Sequence, residues 1–229
     1  MKIPALLIAA LLALSGQTPG PSSQAMRHLV YQFGYNAKVA DSGPGTGTTT
    51  IDIRQAADGG LRINATDRWW NSVQPDRSSS CELYPNGGVT CDERPYFLTG
   101  IQAVIVPLLA RDYFQALSVQ SNATWNESFD IRALFTPSLY VDFADQLTTW
   151  KCASTLNSKG TVPNAAPLIL IESNGSMKQE GGRYLSLNQK ASIIVDPRIN
   201  APVFVTALMT PAPQLTVDRY SVQLRLVKY

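Results

Sequence analysis

Residues 28–36 (HLVYQFGYN) alternate large apolar side chains with smaller or polar ones, and this period of two is typical of a β-strand with one buried face. The apolar face carries Leu29, Tyr31, Phe33 and Tyr35. The same alternation returns in residues 48–54 and 61–70, the first of them after the turn-rich stretch 41–47. Three such segments in sequence order predict an antiparallel β-meander, with the glycine-rich residues 43–47 as a hairpin loop.

The C-terminal part of the chain shows further strand signals. Residues 168–172 form a nearly continuous apolar run, and the residues that follow, 173–176 (SNGS), are typical of a turn. More strands are predicted at residues 184–195, 203–209 and 217–229. No unit repeats with a period of roughly 20–50 residues, which excludes solenoid and propeller folds.

Two cysteines, Cys81 and Cys91, bracket the sequence ELYPNGGVT, whose centre has the Pro-Asn-Gly order of a three-residue hairpin loop. Closing the loop on residues 85–87 places the two cysteines directly opposite each other, where Cα atoms roughly 4.5–5.5 Å apart allow a disulfide. We therefore predict a Cys81–Cys91 disulfide and a buried free thiol at Cys152. The alternatives are two unpaired thiols in the hairpin, or a bridge from Cys152 to one of them.

One segment departs from the strand pattern. Thr99 and Gln102 have the spacing of a helix-capping box, and residues 99–117 carry an apolar stripe at helical spacing. The stripe comprises Ile101, Val104, Ile105, Leu108, Leu109, Tyr113, Ala116 and Leu117, while Gln102, Arg111 and Gln115 lie outside it. Pro107 removes a backbone donor, so we expect a kink or a restart there. The predicted role of this helix is to cover one face of the sheet.

Together these elements predict a mainly β fold, namely one large, strongly curved antiparallel sheet, half-barrel-like, with one central helix on its concave side. The alternative is a β-sandwich whose faces are all filled. In the last strand Gln223 and Arg225 are in phase with Tyr229, which argues against the lipid-facing terminal strand of an outer-membrane barrel.

The N-terminus has the pattern of an export signal. Lys2 precedes residues 3–14, an uncharged and mainly apolar run that is shorter than the roughly 20 residues of a membrane-spanning helix. Small residues predict cleavage after Ser15, or alternatively after Ala25. The predicted organisation is a signal peptide at 1–15 (alternative end 25), a mobile linker at 16–26 and a single β-rich domain at 27–229.

Export places the protein in the periplasm or outside the cell, where a disulfide is stable. No later stretch of the sequence is long and apolar enough for a transmembrane helix, so we expect no transmembrane span after signal cleavage. The alternative, a signal that is retained as a membrane anchor, is disfavoured by the short apolar run.

Composition and charge exclude several functional classes. The chain has 19 Lys and Arg against 17 Asp and Glu, and charged residues make up only 16%, so the clustered basic face of a nucleic-acid-binding protein is not expected. Its single histidine, His28, cannot build a zinc site from two or three imidazoles. We therefore predict a non-enzymatic protein with no catalytic residues, no metal site and no cofactor.

The sheet is expected to be wider than its helix. Eight or more strands lie roughly 4.8 Å apart, whereas a helix of about eighteen residues is only roughly 27 Å long. Side chains, a second layer or a ligand must fill the rest of the concave face. The candidate ligand-lining residues are Trp70, Tyr113 and Trp125.

The export signal, the strand order and the single central helix resemble the half-barrel fold of bacterial periplasmic lipoprotein carriers and of related uncharacterised exported β-rich proteins. The resemblance implies an apolar concave cavity for acyl chains. The expected function is therefore an exported, non-enzymatic binding or carrier protein for an apolar, lipid-like ligand in the bacterial envelope. The alternative is a structural, adhesion or assembly module whose partner is an envelope protein and that has no small-molecule ligand.

Overall fold

The described part of the chain consists of eleven β-strands and one α-helix in the computed structural model. It covers residues 27–37, 45–56, 59–70, 76–84, 88–91, 100–109, 122–133, 148–180, 186–211 and 219–229. The strands are β1 (Arg27–Ala37), β2 (Gly45–Gln55), β3 (Leu61–Trp69), β4 (Arg77–Leu83), β5 (Val89–Cys91), β6 (Thr124–Ala133), β7 (Thr148–Thr161), β8 (Ile169–Gln179), β9 (Ser186–Asp196), β10 (Ala201–Pro211) and β11 (Tyr220–Lys228). The helix α1 spans Gly100–Leu109. The predicted signal peptide and linker lie outside these residues.

The strands form one closed barrel in the order β1-β11-β10-β9-β8-β7-β6-β5-β4-β3-β2. Neighbouring strands are antiparallel except for β5 and β6, which are parallel because the chain passes through α1 between them. The mainly β fold with a central helix is confirmed, and so is the β1–β2–β3 meander. The curved sheet goes further than a half-barrel, since β1 pairs with β11, and this closure excludes the β-sandwich.

The barrel wall is apolar inside and polar outside. Alternate residues of each strand point inward, and most of those that are buried are apolar, such as Ile51, Ile63, Val205 and Leu224. The residues between them face outward and include many charges, among them Arg54, Arg62, Asp130, Lys151, Glu172, Lys178, Lys190 and Arg225. The outer surface of the described wall is therefore suited to water.

The helix α1 lies inside the barrel. Every residue from Ile101 to Leu109 is buried, and the helix contacts β10 and β11 on one side while facing β6–β9 on the other. The amide Nε2 of Gln102 donates to the carbonyl oxygen of Arg77 on β4 at 3.4 Å. An eight-stranded barrel is filled by its own side chains, whereas eleven strands leave room for a helix. Among the described residues, no helix has the length and apolar character needed to cross a membrane.

One feature of the predicted helix needs correction. Gln102 was expected outside the apolar stripe but is fully buried, because the wall surrounds the helix on all sides instead of touching one face. Pro107 lies within the helix, which continues to Leu109, and the kink expected there stays a prediction. Both ends of the predicted helix, Thr99 and residues 110–117, lie outside the described residues.

The cysteine hairpin follows the predicted register. Cys81 lies opposite Cys91, Glu82 opposite Thr90 and Leu83 opposite Val89. The Cys81–Cys91 disulfide is present, and Cys152 is buried and belongs to no disulfide among the described residues. The thiol of Cys152 points into the barrel, where it lies 3.8 Å from the carbonyl oxygen of Trp150. Both predictions about the cysteines are confirmed.

Three regions were predicted differently from their structure. Residues 173–176 continue β8 and make no turn. Gly175 is needed there for another reason, since a Cβ on it would lie 3.0 Å from the carbonyl oxygen of Ala153 on β7. Gly45 and Gly47 belong to β2 and not to a hairpin loop. β6 and β7 were not predicted, because inward polar residues such as Glu127 interrupt their apolar alternation.

Candidate functional site at the aromatic end of the barrel

Four aromatic side chains meet at the end of the barrel where β1 and β3 end and β2 and β11 begin. We call this group, Phe33, Tyr35, Trp69 and Tyr220, the aromatic cluster. The ring centroids of Phe33 and Trp69 lie 4.8 Å apart, edge to face, and those of Tyr35 and Trp69 lie 5.8 Å apart. The rings of Tyr35 and Tyr220 are 5.5 Å apart and tilted. These separations are typical of favourable aromatic pairs.

Two glycines of β2 allow the cluster to form. In the register, Gly47 lies between Phe33 on β1 and Trp69 on β3, and Gly45 lies opposite Tyr35. A Cβ on Gly45 would overlap the Trp69 ring, and one on Gly47 would overlap the Phe33 ring and the carbonyl oxygen of Arg68. The rings therefore meet across β2 in the space that the two missing side chains leave.

The aromatic cluster is only partly covered. Phe33 and Tyr220 are buried, but Tyr35 and Trp69 are half-buried and form its rim. Ligand sites lined by aromatic and other apolar side chains occur in the mouths of β-barrels.

Both tyrosines of the cluster are neutral. Burial raises the pKa of Tyr35 to about 12 and raises the pKa of Tyr220 well above its ordinary value. At neutral pH the two phenols can therefore donate and accept hydrogen bonds but cannot act as bases. The hydroxyl of Tyr220 is buried and has no hydrogen-bond partner among the described residues.

A polar layer lies directly beneath the aromatic cluster, one step deeper in the barrel. We define it as Thr49, Asp67 and Arg77, which occupy directly opposed positions on β2, β3 and β4, together with Gln102 of α1. Thr49 and Asp67 are fully buried. Within the described chain the hydroxyl of Thr49, like that of Tyr220, has no hydrogen-bond partner.

Of the residues expected to line a ligand site, the two that the structure describes, Trp70 and Trp125, are not brought together. Trp70 follows β3 and is 52% exposed, while its backbone nitrogen donates to the carbonyl oxygen of Thr46 at 2.9 Å. Trp125 is half-buried on the inward side of β6, where its indole donates to Glu127 at 3.1 Å. β4 and β5 separate these two strands in the wall. Tyr113 lies outside the described residues.

The helix occupies the concave volume that the sequence assigned to a ligand. Between α1 and strands β6–β9 lies a cavity of about 30 Å³, which is room for about one water molecule. Its lining includes Ala103, Pro107, Phe129, Cys152 and Met177. This space beside the helix is too small for an acyl chain, so the aromatic end is the better place for a ligand.

The single histidine lies on the outer face of the wall. Its Nδ1 is 2.7 Å from Oδ1 of Asp52, the residue opposite His28 on β2. Within the described residues no three histidine, cysteine or acidic side chains are grouped as metal ligands would be. The chemistry that the described site offers is therefore apolar contact and hydrogen bonding.

Sequence reasoning missed most of the aromatic cluster as a site, although its signals are present. Phe33 and Tyr35 alternate on β1, and Gly45 and Gly47 alternate at the matching positions of β2. Trp69 and Trp70 are adjacent in the sequence, so on a strand they point to opposite sides, and Trp69 is the inward one. No family model, curated protein or solved structure matches this chain, so the residues themselves carry the functional argument.

Proposed function

We propose that the protein is an exported, non-enzymatic binding or carrier protein of the bacterial envelope, periplasmic or extracellular, that holds an apolar, lipid-like ligand. The observation that carries this proposal is the aromatic cluster, in which Tyr35 and Trp69 stay half-buried at the end of the barrel. Removing apolar surface from water stabilises a complex by about 25 cal/mol per Å². A ligand that covers these two rings gains that stabilisation.

The site differs from the deep cavity that the sequence led us to expect. Because α1 occupies the interior, the ligand lies against the end of the barrel and not along its axis. Such a site holds a compact apolar group more readily than a whole acyl chain.

The proposal is tested with N-phenyl-1-naphthylamine, an uncharged probe whose fluorescence rises in an apolar site. We expect saturable binding that Trp69→Ala weakens about tenfold, a change of about 1.4 kcal/mol in binding free energy. Trp69→Phe keeps a ring in the cluster and should weaken binding less. Circular dichroism spectra of each variant show whether the barrel remains folded.

Two further variants test where on the barrel the probe binds. Tyr84→Ala removes an exposed aromatic ring at the opposite end of the barrel, where Tyr84 pairs with Gly88, and should leave probe binding unchanged. Trp70→Ala tests the position favoured by the sequence. A loss of binding in Trp70→Ala with none in Trp69→Ala would move the site to the outer side of β3 and contradict the proposal.

The second candidate function is a structural, adhesion or assembly module with an envelope protein as its partner. The observation that favours it is the filled interior of the described barrel beneath a polar outer wall. Absence of saturable probe binding to the folded, delipidated protein would favour this candidate over the binding protein.

A further inference from the structure

Most of the outer wall carries charges of both signs, but four neighbouring strands differ. These are β9, β10, β11 and β1, which lie side by side in the barrel. Among their described residues the outward, exposed charged side chains are those of Lys190, Arg225 and Lys228. The one acidic side chain in these strands, that of Asp196 at the end of β9, is buried and paired with Arg198. We call the outer side of these four strands the basic face.

The positive charges of the basic face are not neutralised within the protein. None of Lys190, Arg225 and Lys228 is ion-paired with a carboxylate of the described chain. Elsewhere on the wall opposite charges are close together, as at Arg62 and Glu82, whose Nη2 and Oε1 atoms are 2.7 Å apart. The basic face therefore attracts anionic partners from solution.

The basic face also carries apolar side chains that are open to water. Leu208 and Val227 are 38% and 48% exposed, and Tyr229, directly after β11, is 77% exposed. These are three of the five large hydrophobic residues that are exposed in the described chain. Ile194 and Phe204 are directly opposed on β9 and β10, point outward and are half-buried. Exposed apolar residues that gather on one side of a protein indicate a surface for contact with a partner.

The basic and the apolar side chains are mixed on this face. Each cation has an apolar neighbour, in the pairs Lys190–Leu208, Arg225–Phe204 and Lys228–Val227. The first two pairs are directly opposed across neighbouring strands, and the third is consecutive along β11. At the boundary of a lipid bilayer, apolar side chains are buried at the acyl chains while Lys and Arg reach the headgroups. The basic face therefore has both kinds of side chain that bind an anionic bilayer.

The shape of the basic face favours a membrane over a folded protein as its partner. The outside of a closed barrel is convex, so a folded protein would need a concave surface of matching shape. A fluid bilayer adapts to a convex surface and needs no such match.

We propose that the basic face binds the surface of membranes that contain anionic phospholipids. The lipid phosphates pair with Lys190, Arg225 and Lys228, and the apolar neighbours of these cations enter the boundary of the bilayer. Each basic side chain near such a surface strengthens binding about fivefold. The proposal does not depend on the proposed ligand, because the aromatic cluster points into the barrel and the basic face points out of it.

The test measures how much of the exported, purified protein sediments with lipid vesicles. One set of vesicles is phosphatidylcholine alone, and the other contains about one third phosphatidylglycerol, which is anionic. We expect the Kd for the anionic vesicles to be lower by about tenfold or more at about 0.05 M NaCl. At about 0.5 M NaCl the two Kd values should agree within about twofold, because salt screens the charges.

Three variants test the residues of the basic face. Arg225→Glu should raise the Kd for anionic vesicles about twentyfold, because an attraction is lost and a repulsion is added. Lys190→Glu repeats this change on β9 and should give a similar loss. Leu208→Ser removes an exposed apolar side chain and should raise the same Kd about threefold or more. Circular dichroism spectra show whether each variant remains folded.

Arg132→Glu is the matched control. Arg132 is an exposed residue of β6, five strands away from β11 around the barrel, and it too is not ion-paired with a described carboxylate. Its replacement changes the net charge of the protein by the same amount as Arg225→Glu. The Kd for anionic vesicles should stay within about twofold of the original value, because the distance across the barrel screens the change.

Equal Kd values for the two kinds of vesicle at low salt would overturn the proposal. Equal losses in Arg225→Glu and Arg132→Glu would also overturn it, because they would indicate an effect of net charge alone. If the protein binds neither kind of vesicle, the proposal is wrong and an acidic protein becomes the expected partner of the basic face. The proposed function is tested separately, because the binding of N-phenyl-1-naphthylamine is measured without vesicles.

Discussion

The absence of a side chain at Gly47 determines how the neighbouring aromatic rings pack. The position of Gly47 in β2 lies between Phe33 and Trp69, and the Phe33 ring uses the space where a Cβ on Gly47 would stand, as the Trp69 ring does at Gly45. From the sequence, residues 43–47 looked like a loop, because glycine and proline are abundant there and the partners of β2 were unknown. Only the pairing of three strands shows that these glycines are required by neighbouring rings.

We predict that Gly47→Ala lowers the free energy of unfolding by about 2 kcal/mol or more, because the new methyl group overlaps the Phe33 ring and the carbonyl oxygen of Arg68. The measurement is urea unfolding followed by circular dichroism. Gly34→Ala is the control, since a Cβ there meets no atom within 4 Å. Equal stabilities of the two variants would show that the cluster is not packed as described.

A second residue-scale interaction holds the turn between β9 and β10. Asp196 accepts hydrogen bonds from the backbone nitrogen of Arg198 at 2.9 Å and from its guanidinium, with Nη2 2.6 Å from Oδ2. The Arg198 guanidinium and backbone amide hold the pKa of Asp196 below its ordinary value. A lowered folded-state pKa means that the carboxylate stabilises the fold at neutral pH and loses this effect in acid.

We therefore predict that Asp196→Asn lowers the free energy of unfolding by less than about 1 kcal/mol at pH 6, since water screens the exposed guanidinium of Arg198. The difference from the original protein should stay constant above about pH 5 and shrink as the pH falls below about 4. Urea unfolding at a series of pH values measures this. An unchanged difference at pH 3 would contradict the shift.

At the scale of elements, the existence and the place of the helix α1 were predicted correctly, but the extent of its burial was not. Its apolar pattern and its place on the concave side of the sheet follow from the spacing of Ile101, Val104 and Ile105. The burial of Gln102 does not follow, because an apolar stripe indicates one covered face and cannot show that a barrel closes around the others. The hairpin of Cys81 and Cys91 was predicted down to its register, since the contacts between its two strands are local.

We predict that Ile105→Ala lowers the free energy of unfolding by about 3 kcal/mol, because this side chain is fully buried between the helix and the wall. Leu208→Ala is the matched control, since Leu208 points outward from β10 and is 38% exposed. That variant should change stability by no more than about 0.5 kcal/mol. Similar losses in both variants would argue against a helix inside the barrel.

The disulfide of the β4–β5 hairpin should stabilise the protein by about 2–3 kcal/mol, because it closes a loop with a sequence separation of only 10. We predict that a reducing agent lowers the urea midpoint of the original protein. The double variant Cys81→Ser, Cys91→Ser should show a lower midpoint that no longer responds to the reductant. A response that persists in the double variant would assign the effect to Cys152.

At the scale of the whole molecule, closure of the barrel was the part that the sequence could not supply. A curved sheet and a closed barrel have the same alternating strands, and they differ in whether the first strand pairs with the last. Two strands of the wall, β6 and β7, also escaped prediction. Long-range pairing is decided by packing that no local pattern records.

The proposed export also belongs to this scale. We predict that the mature protein begins at Gly16, after cleavage behind Ser15, or alternatively at Met26, after cleavage behind Ala25. N-terminal sequencing of the protein recovered from the envelope or the medium measures this directly. Recovery of a chain that still begins with Met1 would contradict the cleaved signal.

The pairing of β1 with β11, which closes the barrel, forms only after both strands have been synthesised. A ribosome makes β1 first and β11 last, so one edge of β1 stays without its strand partner until about two hundred further residues have been synthesised. During that interval an open edge and an apolar inner surface are exposed together, which invites pairing with other chains. A factor that shields the nascent chain, or slow delivery across a membrane, would therefore affect pairing with other chains most before β11 has been synthesised.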